Sequence, residues 1–260
     1  MYQNIYISRN KKSVEAHIWD DEVGYKKIIH KPYAYKKSPT GTYQSLYGDK
    51  LKKVNFWTPE EIDDGSIFES DVPVETRVLV DTYSESDEPS KGHKTMIFDI
   101  EVEVKDGFPD PLRADNKITS IAFLDELIDK YYVLILGDLK NYQKDNKIVE
   151  SFKSEEELLQ RFYQKYLEIQ PTILSGWNIE FFDIPYLYNR TERVLGYQFS
   201  NSLSPIGKVH YIEHMKKYKI AGVSQLDYMA LYKLFTYTQQ SSYRLDYIGQ
   251  LEVNLGKIEF

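Results

Sequence analysis

Apolar and polar residues alternate along Tyr2–Ser8 and again along Ser13–Trp19, the period-two signature of half-buried strands. A loop rich in Pro, Gly and Ser follows at Lys37–Tyr43, and Asp81–Lys94, with Pro89, Ser90 and Gly92, reads as a linker. The pattern predicts a small β-rich domain over 1–91 and a second domain over 92–260. In the second domain, Thr95–Val104, Ile118–Leu124 and Tyr131–Leu136 are strand-like runs separated by turn residues, consistent with consecutive strands of one sheet. The period then lengthens. Ser154 and Glu157 form a capping box, Leu158, Phe162, Tyr166 and Ile169 recur at helical spacing, and Pro171 closes the segment. Thr172–Gly176 reads as a short buried strand and Asp183–Arg193 as a second helix. Strands first and helices interleaved later place the domain in the α/β class. No internal repeat is visible.

Composition narrows the picture. At 260 residues and 42% hydrophobic, the chain can bury a sizeable core in one or two domains. It has no cysteine, which excludes disulfides and thiolate zinc sites and fits a reducing compartment. The longest apolar run, Tyr131–Leu136, falls far below the roughly 18 residues a membrane helix needs. The N-terminus lacks the charged-then-apolar pattern of a leader. A soluble, cytoplasmic protein without a membrane partner is expected. The 23 tyrosines supply apolar bulk with a polar tip, suited to wet grooves or to core and rim. A net charge of −7 argues against an indiscriminate grip on duplex through a basic surface. The charge is uneven: residues 1–58 hold 11 Lys and Arg against 5 Asp and Glu, whereas residues 59–91 hold 2 against 11. The basic opening could touch nucleic acid or could simply be a solvated face.

Two segments carry candidate chemistry. In Phe98-Asp99-Ile100-Glu101-Val102 a strand projects Asp99 and Glu101 to one face and Phe98, Ile100 and Val102 to the core. Paired carboxylates repel unless a cation lies between them, and hard oxygen donors suit Mg²⁺ or Mn²⁺. Such a pair is also common on solvated strand faces. The second segment, Gly176-Trp177-Asn178-Ile179-Glu180-Phe181-Phe182-Asp183-Ile184-Pro185-Tyr186, runs from a strand through a glycine turn into a helix. Taken alone, Asp183 reads as an acid capping that helix, with Pro185 in its first turn.

Taken together, these motifs resemble the first two exonuclease motifs of family B DNA polymerases, in the form found in the replicative polymerases of T-even-type bacteriophages. The resemblance extends to Gly107-Phe108-Pro109-Asp110-Pro111, to Asp183–Arg190, to Leu226-Asp227-Tyr228 with Leu231-Tyr232-Lys233, to Ser242–Ile248, and to Asn254-Leu255-Gly256-Lys257. It covers residues 92–260 and, more loosely, the opening domain. It implies a ribonuclease H-like exonuclease fold, a mixed sheet with flanking helices, preceded by a smaller β-rich domain. It also implies two-metal hydrolysis of the 3'-terminal phosphodiester of DNA, with Asp99, Glu101 and Asp183 holding Mg²⁺ or Mn²⁺. The partner it implies is a single-stranded or frayed 3' end. Phe108 would pack against bases there, and Trp177, Asn178, Phe182 and Lys208 join the expected DNA-binding set.

The family pattern also breaks. Its fourth carboxylate comes from a Tyr-x-x-x-Asp motif, and the one match, Tyr83 with Asp87, lies upstream of the first motif and reads as chance. Asp227 and Asp246 read as structural or capping acids. Weak or absent nuclease activity alone is therefore expected, with the polymerase portion belonging to a longer chain or to a second one. A stand-alone 3'→5' exonuclease is one rival; a binding module whose residues 1–58 take RNA or a replication partner is another. The segment Lys208–Gly222 reads as a short basic ribbon, and His210 with His214 as no metal pair. The chain contains no phosphate loop, dinucleotide fingerprint or nucleophile elbow. A phage-encoded version would work in the host cytoplasm.

Overall fold

A computed structural model describes residues 1–9, 13–105 and 107–256, so Lys257 of the last motif lies outside the described residues. The chain divides into two units, Met1–Gly92 and His93–Phe260.

In the first unit, β1 (Tyr2–Arg9), β2 (Val14–Asp20) and β3 (Gly24–His30) form an antiparallel sheet in chain order. A second sheet holds β4 (Ala34–Lys37), β5 (Tyr43–Gln44), β6 (Lys50–Val54) and β7 (Ile67–Phe68), in the order β5-β6-β4-β7. Helix α1 (Pro59–Asp63) starts at a Thr58–Glu61 capping box. Helix α2 (Val74–Tyr83) buries Val78 with Ala16 and Ile18 of β2. This corrects the linker expected from Asp81: residues 81–83 are the last turn of α2. Within α2, Val78 is buried against the first sheet while Val80 is 53% exposed. Asp81 accepts a hydrogen bond from the Tyr33 hydroxyl at 2.6 Å, and the Tyr83 hydroxyl donates to Asp20 at 2.6 Å. Tyr83 is thus committed to packing. Among the described residues one ion pair joins the basic and acidic segments, Lys36 with Glu61, and Arg77 pairs with Glu69 within the acidic one.

The second unit is built on a mixed seven-stranded sheet. Its strands are β8 (Thr95–Val102), β9 (Ile118–Asp125), β10 (Lys130–Leu136), β11 (Tyr142–Lys144), β12 (Lys147–Phe152), β13 (Ile173–Gly176) and, after a separate two-stranded ribbon, β16 (Ser224–Asp227). The ribbon is β14 (Val209–Ile212) with β15 (Lys217–Ile220), the short hairpin expected there. The sheet order is β11-β12-β10-β9-β8-β13-β16, antiparallel through β8, β9 and β10 and parallel where β13 joins β8 and β16.

Helix α3 (Glu155–Ile169) opens at Ser154, whose side chain accepts from the Glu157 amide in the expected capping box. It lays Leu158, Leu159, Phe162 and Tyr166 into the core. Helix α4 (Asp183–Leu195) buries Ile184, Tyr186, Leu187 and Tyr188, and the short α5 (Tyr197–Asn201) follows. Two core tyrosines commit their hydroxyls to main chain: Tyr166 donates to Leu203 O at 2.7 Å and Tyr186 to Asn116 O at 2.8 Å. Buried polar tips need such partners.

A buried ion pair ties the two large helices to the sheet. Glu155 accepts from Arg190 Nε at 2.8 Å and from the Ile118 amide at 2.8 Å, while Arg190 also donates to the carbonyls of Ala114 and Asp115. Helices α6 (Tyr228–Phe235) and α7 (Leu245–Val253) differ in character. Helix α6 is rich in apolar residues yet buries none, and Leu234 and Phe235 are 74% and 75% exposed. Among the described residues no helix is long and apolar enough to cross a membrane.

Replacing Arg190 with Ala leaves Glu155 buried without its charge partner. The expected loss is about 3–5 kcal/mol in equilibrium urea unfolding, against less than about 1 kcal/mol for removing the more exposed Lys165–Glu168 pair.

Candidate active site

The strand β8 alternates as its sequence requires: Met96, Phe98 and Ile100 are buried, while Ile97, Asp99 and Glu101 are exposed on the opposite face. The two acids therefore share one face of an interior strand, whose neighbours are β9 and β13.

The ladder between β8 and β13 stops at the Ile97–Ser175 pair. Beyond it the chain turns at Gly176, which passes so close to β8 that a Cβ there would lie 2.5 Å from Phe98 O and 2.5 Å from Ile179 Cγ2. No other residue type fits without moving backbone. Asn178 then adopts a left-handed φ of 66°, which asparagine tolerates better than most residues. Its carbonyl accepts from the amides of Phe181 and Phe182, tightening the turn into α4.

This turn delivers Asp183 to β8. Its carboxylate accepts the Ile100 amide at 3.0 Å, the β8 N–H that a continued ladder could have used. Asp183 is 3% exposed and makes no cap on α4, whose N-cap is Phe182 without a side-chain hydrogen bond. The capping reading of Asp183 is thereby corrected: its side chain turns toward the strand. Burial, and then the charge of Asp99, push its pKa from 3.8 up to about 7. The Ile100 hydrogen bond opposes that rise, and the charge of Asp227 adds to it.

Asp227 caps α6, accepting from Met229 and Ala230 at 3.0 and 3.3 Å. Its carboxylate also takes the amides of Asn178 and Glu180, a role the sequence did not signal because it depends on β13 and β16 pairing in parallel. Asp246 lies in the first turn of α7, close to Gly256.

The aromatic residues divide. Phe108 is 84% exposed, its ring centroid 5.3 Å from that of Phe182. A polar cleft of about 400 Å³ opens beside it, lined also by Pro109, Arg113, Asn116 and Tyr186. Trp177 instead turns toward α6: its indole N–H donates to Tyr243 O at 2.9 Å, and its ring meets those of Tyr228 and Tyr232. Lys208 is half-buried at the foot of the ribbon, where its carbonyl accepts from Ala221. Lys217 on the ribbon forms an ion pair with Glu180 and lies 4.7 Å from the centre of the Phe181 ring.

In kind, the donors suit a hard divalent cation: carboxylates only, one of them with its ionisation suppressed by burial and by the neighbouring Asp99 charge. Among the described residues, however, no group of three or more His, Cys, Asp or Glu gathers closely enough to hold an ion. His210 and His214 belong to no such group either.

Residues 60–248 match the family model described as the exonuclease domain of DNA polymerase family B. The chain is 37% identical over 193 residues to the DNA-directed DNA polymerase of Escherichia phage RB69, a match covering 63% of this chain and 21% of that protein. It is 30% identical over 257 residues to the DNA-directed DNA polymerase of Enterobacteria phage T4, covering 84% of this chain and 28% of that protein. DNA polymerase 1 of Sulfurisphaera ohwakuensis matches at 35% over 146 residues, 55% of this chain and 14% of that protein. The fold and these matches define an exonuclease domain of the ribonuclease H-like kind. The chain belongs to the family B DNA polymerases through that domain. It spans between a fifth and a third of the two phage relatives' length. Exonuclease domains of this family generally depend on divalent metal ions.

Two predictions follow from the geometry. In the folded, metal-free chain Asp183 keeps its proton up to about pH 7, whereas in the unfolded chain it loses it near 3.8. Between those values the folded state binds the extra proton, so stability falls as pH rises through that window, by at most about 4 kcal/mol. Melting temperatures in EDTA across this range should fall more steeply for the wild type than for Asp183→Asn, with parallel curves as the contrary outcome. Gly176→Ala should cost about 1–3 kcal/mol through the collision with Phe98 O, read as a lowered urea midpoint.

Proposed function

We propose that this chain forms the 3'-end-binding and metal-holding part of a 3'→5' proofreading exonuclease within a replicative DNA polymerase. The observation that carries the reading is the delivery of Asp183 onto the strand of Asp99 and Glu101. On this reading Asp99, Glu101 and Asp183 hold Mg²⁺ or Mn²⁺, two ions in the complete site. Bound there, the ions supply an activated water and stabilise the attacking and leaving oxygens of phosphodiester hydrolysis.

The chain's own residues position the DNA. Phe108, exposed and backed by Phe182, offers a face for a terminal base, with the adjacent cleft to receive it. An unpaired end reaches such a site at least melting cost. Asn178 lines the turn that precedes Asp183, Lys208 contributes positive charge toward the DNA backbone, and Trp177 acts from behind by holding the turn against α6. The protein works in the cytoplasm, a host's where a phage encodes it.

The remaining polymerase portion, in the same chain or as a second one, is the partner we assign to the exposed apolar face of α6 and α7. That face also weighs against a stand-alone exonuclease, since large exposed apolar patches mark surfaces that another protein covers. A second reading concerns RNA. In the first unit, Tyr35, Tyr43, Tyr47 and Phe68 line a cleft of about 410 Å³, with Lys37 5.6 Å from the Phe68 ring, a combination of aromatic faces and positive charge that suits unpaired bases.

The chain on labelled single-stranded DNA with Mg²⁺ or Mn²⁺ is expected to show weak or no shortening from the 3' end, and shortening that depends on Asp99 when the polymerase portion is added. Rapid turnover by the chain alone would show that three carboxylates suffice. In EDTA, Phe108→Ala should weaken binding of an oligodeoxynucleotide by about 5- to 150-fold in fluorescence anisotropy, the value of one stacked base. Unchanged binding removes Phe108 from the site. RNA retardation at low salt that survives Tyr43→Ala and Tyr47→Ala would refute the cleft as the RNA site.

A further inference from the structure

We propose that Asp227 is a positioning residue for Asp183, fixing the turn between β13 and α4 so that the Asp183 carboxylate stays on β8. Asp227 is 3% exposed and its carboxylate accepts four main-chain amides. Oδ1 takes Asn178 at 3.1 Å, Met229 at 3.0 Å and Ala230 at 3.3 Å, and Oδ2 takes Glu180 at 3.2 Å. Capping α6 accounts for the Met229 and Ala230 bonds. The other two belong to the turn that ends in Asp183.

That turn needs a tether. It starts where Gly176 presses on Phe98 O and passes through a left-handed Asn178, and backbone of this kind persists only when surrounding contacts over-determine it. The parallel pairing of Gly176 with Asp227 brings the acid alongside. Asp227 then holds the turn at two amides, one on each side of Ile179, whose fully buried side chain anchors the same segment in the core. A carboxylate has two accepting oxygens with room for several donors, whereas an amide or hydroxyl has one. Helix cap and both turn amides can be served together only by an acid. Asp227→Asn should therefore keep the α6 cap through one oxygen and release the Glu180 amide.

The role toward a metal rests on the reading of Asp183 as a ligand; the tether itself does not, and the test separates them. Native-state hydrogen exchange on the whole chain in EDTA reports the tether, with the Ile100 amide as reporter of the Asp183 carboxylate. In the wild type the Asn178 and Glu180 amides should share the protection of Met229 and Ala230. In Asp227→Asn the Glu180 and Ile100 amides should exchange at least about tenfold faster, while Met229 keeps its wild-type protection. Mn²⁺ affinity, titrated by electron paramagnetic resonance, should weaken by about 10-fold or more, as for other residues that hold a ligand in place. Unchanged protection of Glu180 and Ile100 in the variant overturns the proposal. If the variant fails to fold, the wild-type pattern decides: Asn178 and Glu180 exchanging far faster than Met229 and Ala230 would equally overturn it. A wild type that binds no Mn²⁺ overturns the ligand reading of Asp183, and the exchange rates still judge the tether.

Discussion

The hydrogen bond from the Ile100 amide to the Asp183 carboxylate is the contact on which the candidate active site depends. It exists because a parallel ladder ends early. Had β13 continued beside β8, a backbone carbonyl could have met the strand and Asp183 would have had no place there. By ending at Ile97 and Ser175, the sheet leaves a main-chain donor that a side chain must satisfy. The side chain that does so is an acid held beside another acid, at a cost in desolvation and repulsion visible in its raised pKa.

Supporting that contact is a scaffold of buried polar groups with every partner internal to the unit. Glu155 and Arg190 join α3, α4 and the chain before β9; the Tyr166 and Tyr186 hydroxyls pin the same two helices to carbonyls of loops. These bonds contribute modest net energy each, but leaving one unmade is costly. The helices are therefore fixed in register as well as held in contact, which is what a site assembled from residues distant in the chain requires.

Local signals were legible in the sequence wherever a short stretch decided the outcome. The capping box at Ser154, the alternation around Asp99 and the helical stripe of α3 each depend on residues within one or two turns of each other. The direction of Asp183 was not legible from its own segment, because an acid at a helix start satisfies the dipole rule whether or not it caps, and the end of a ladder has no sequence signature; only the family resemblance set it beside Asp99 and Glu101. Asp227 was read as a cap, and it is one, but its second pair of amides comes from a parallel neighbour that only the sheet order reveals. The last turn of α2 reads as linker because Asp81 opens the polar, breaker-rich run to Lys94, and Val78 is the one apolar residue of the helix that is fully buried. Pattern reading falters where an element is held by few apolar contacts.

The bare flank of α6 has a practical corollary for anyone handling the isolated chain. Dyes that fluoresce on meeting apolar surface are commonly used to detect loosened, molten packing. With Leu234 and Phe235 open to water in the native state, such a dye would light up on a fully ordered protein. Brightness in that assay would report this exposed apolar flank, and only a lost near-ultraviolet circular dichroism signal would report a core coming apart.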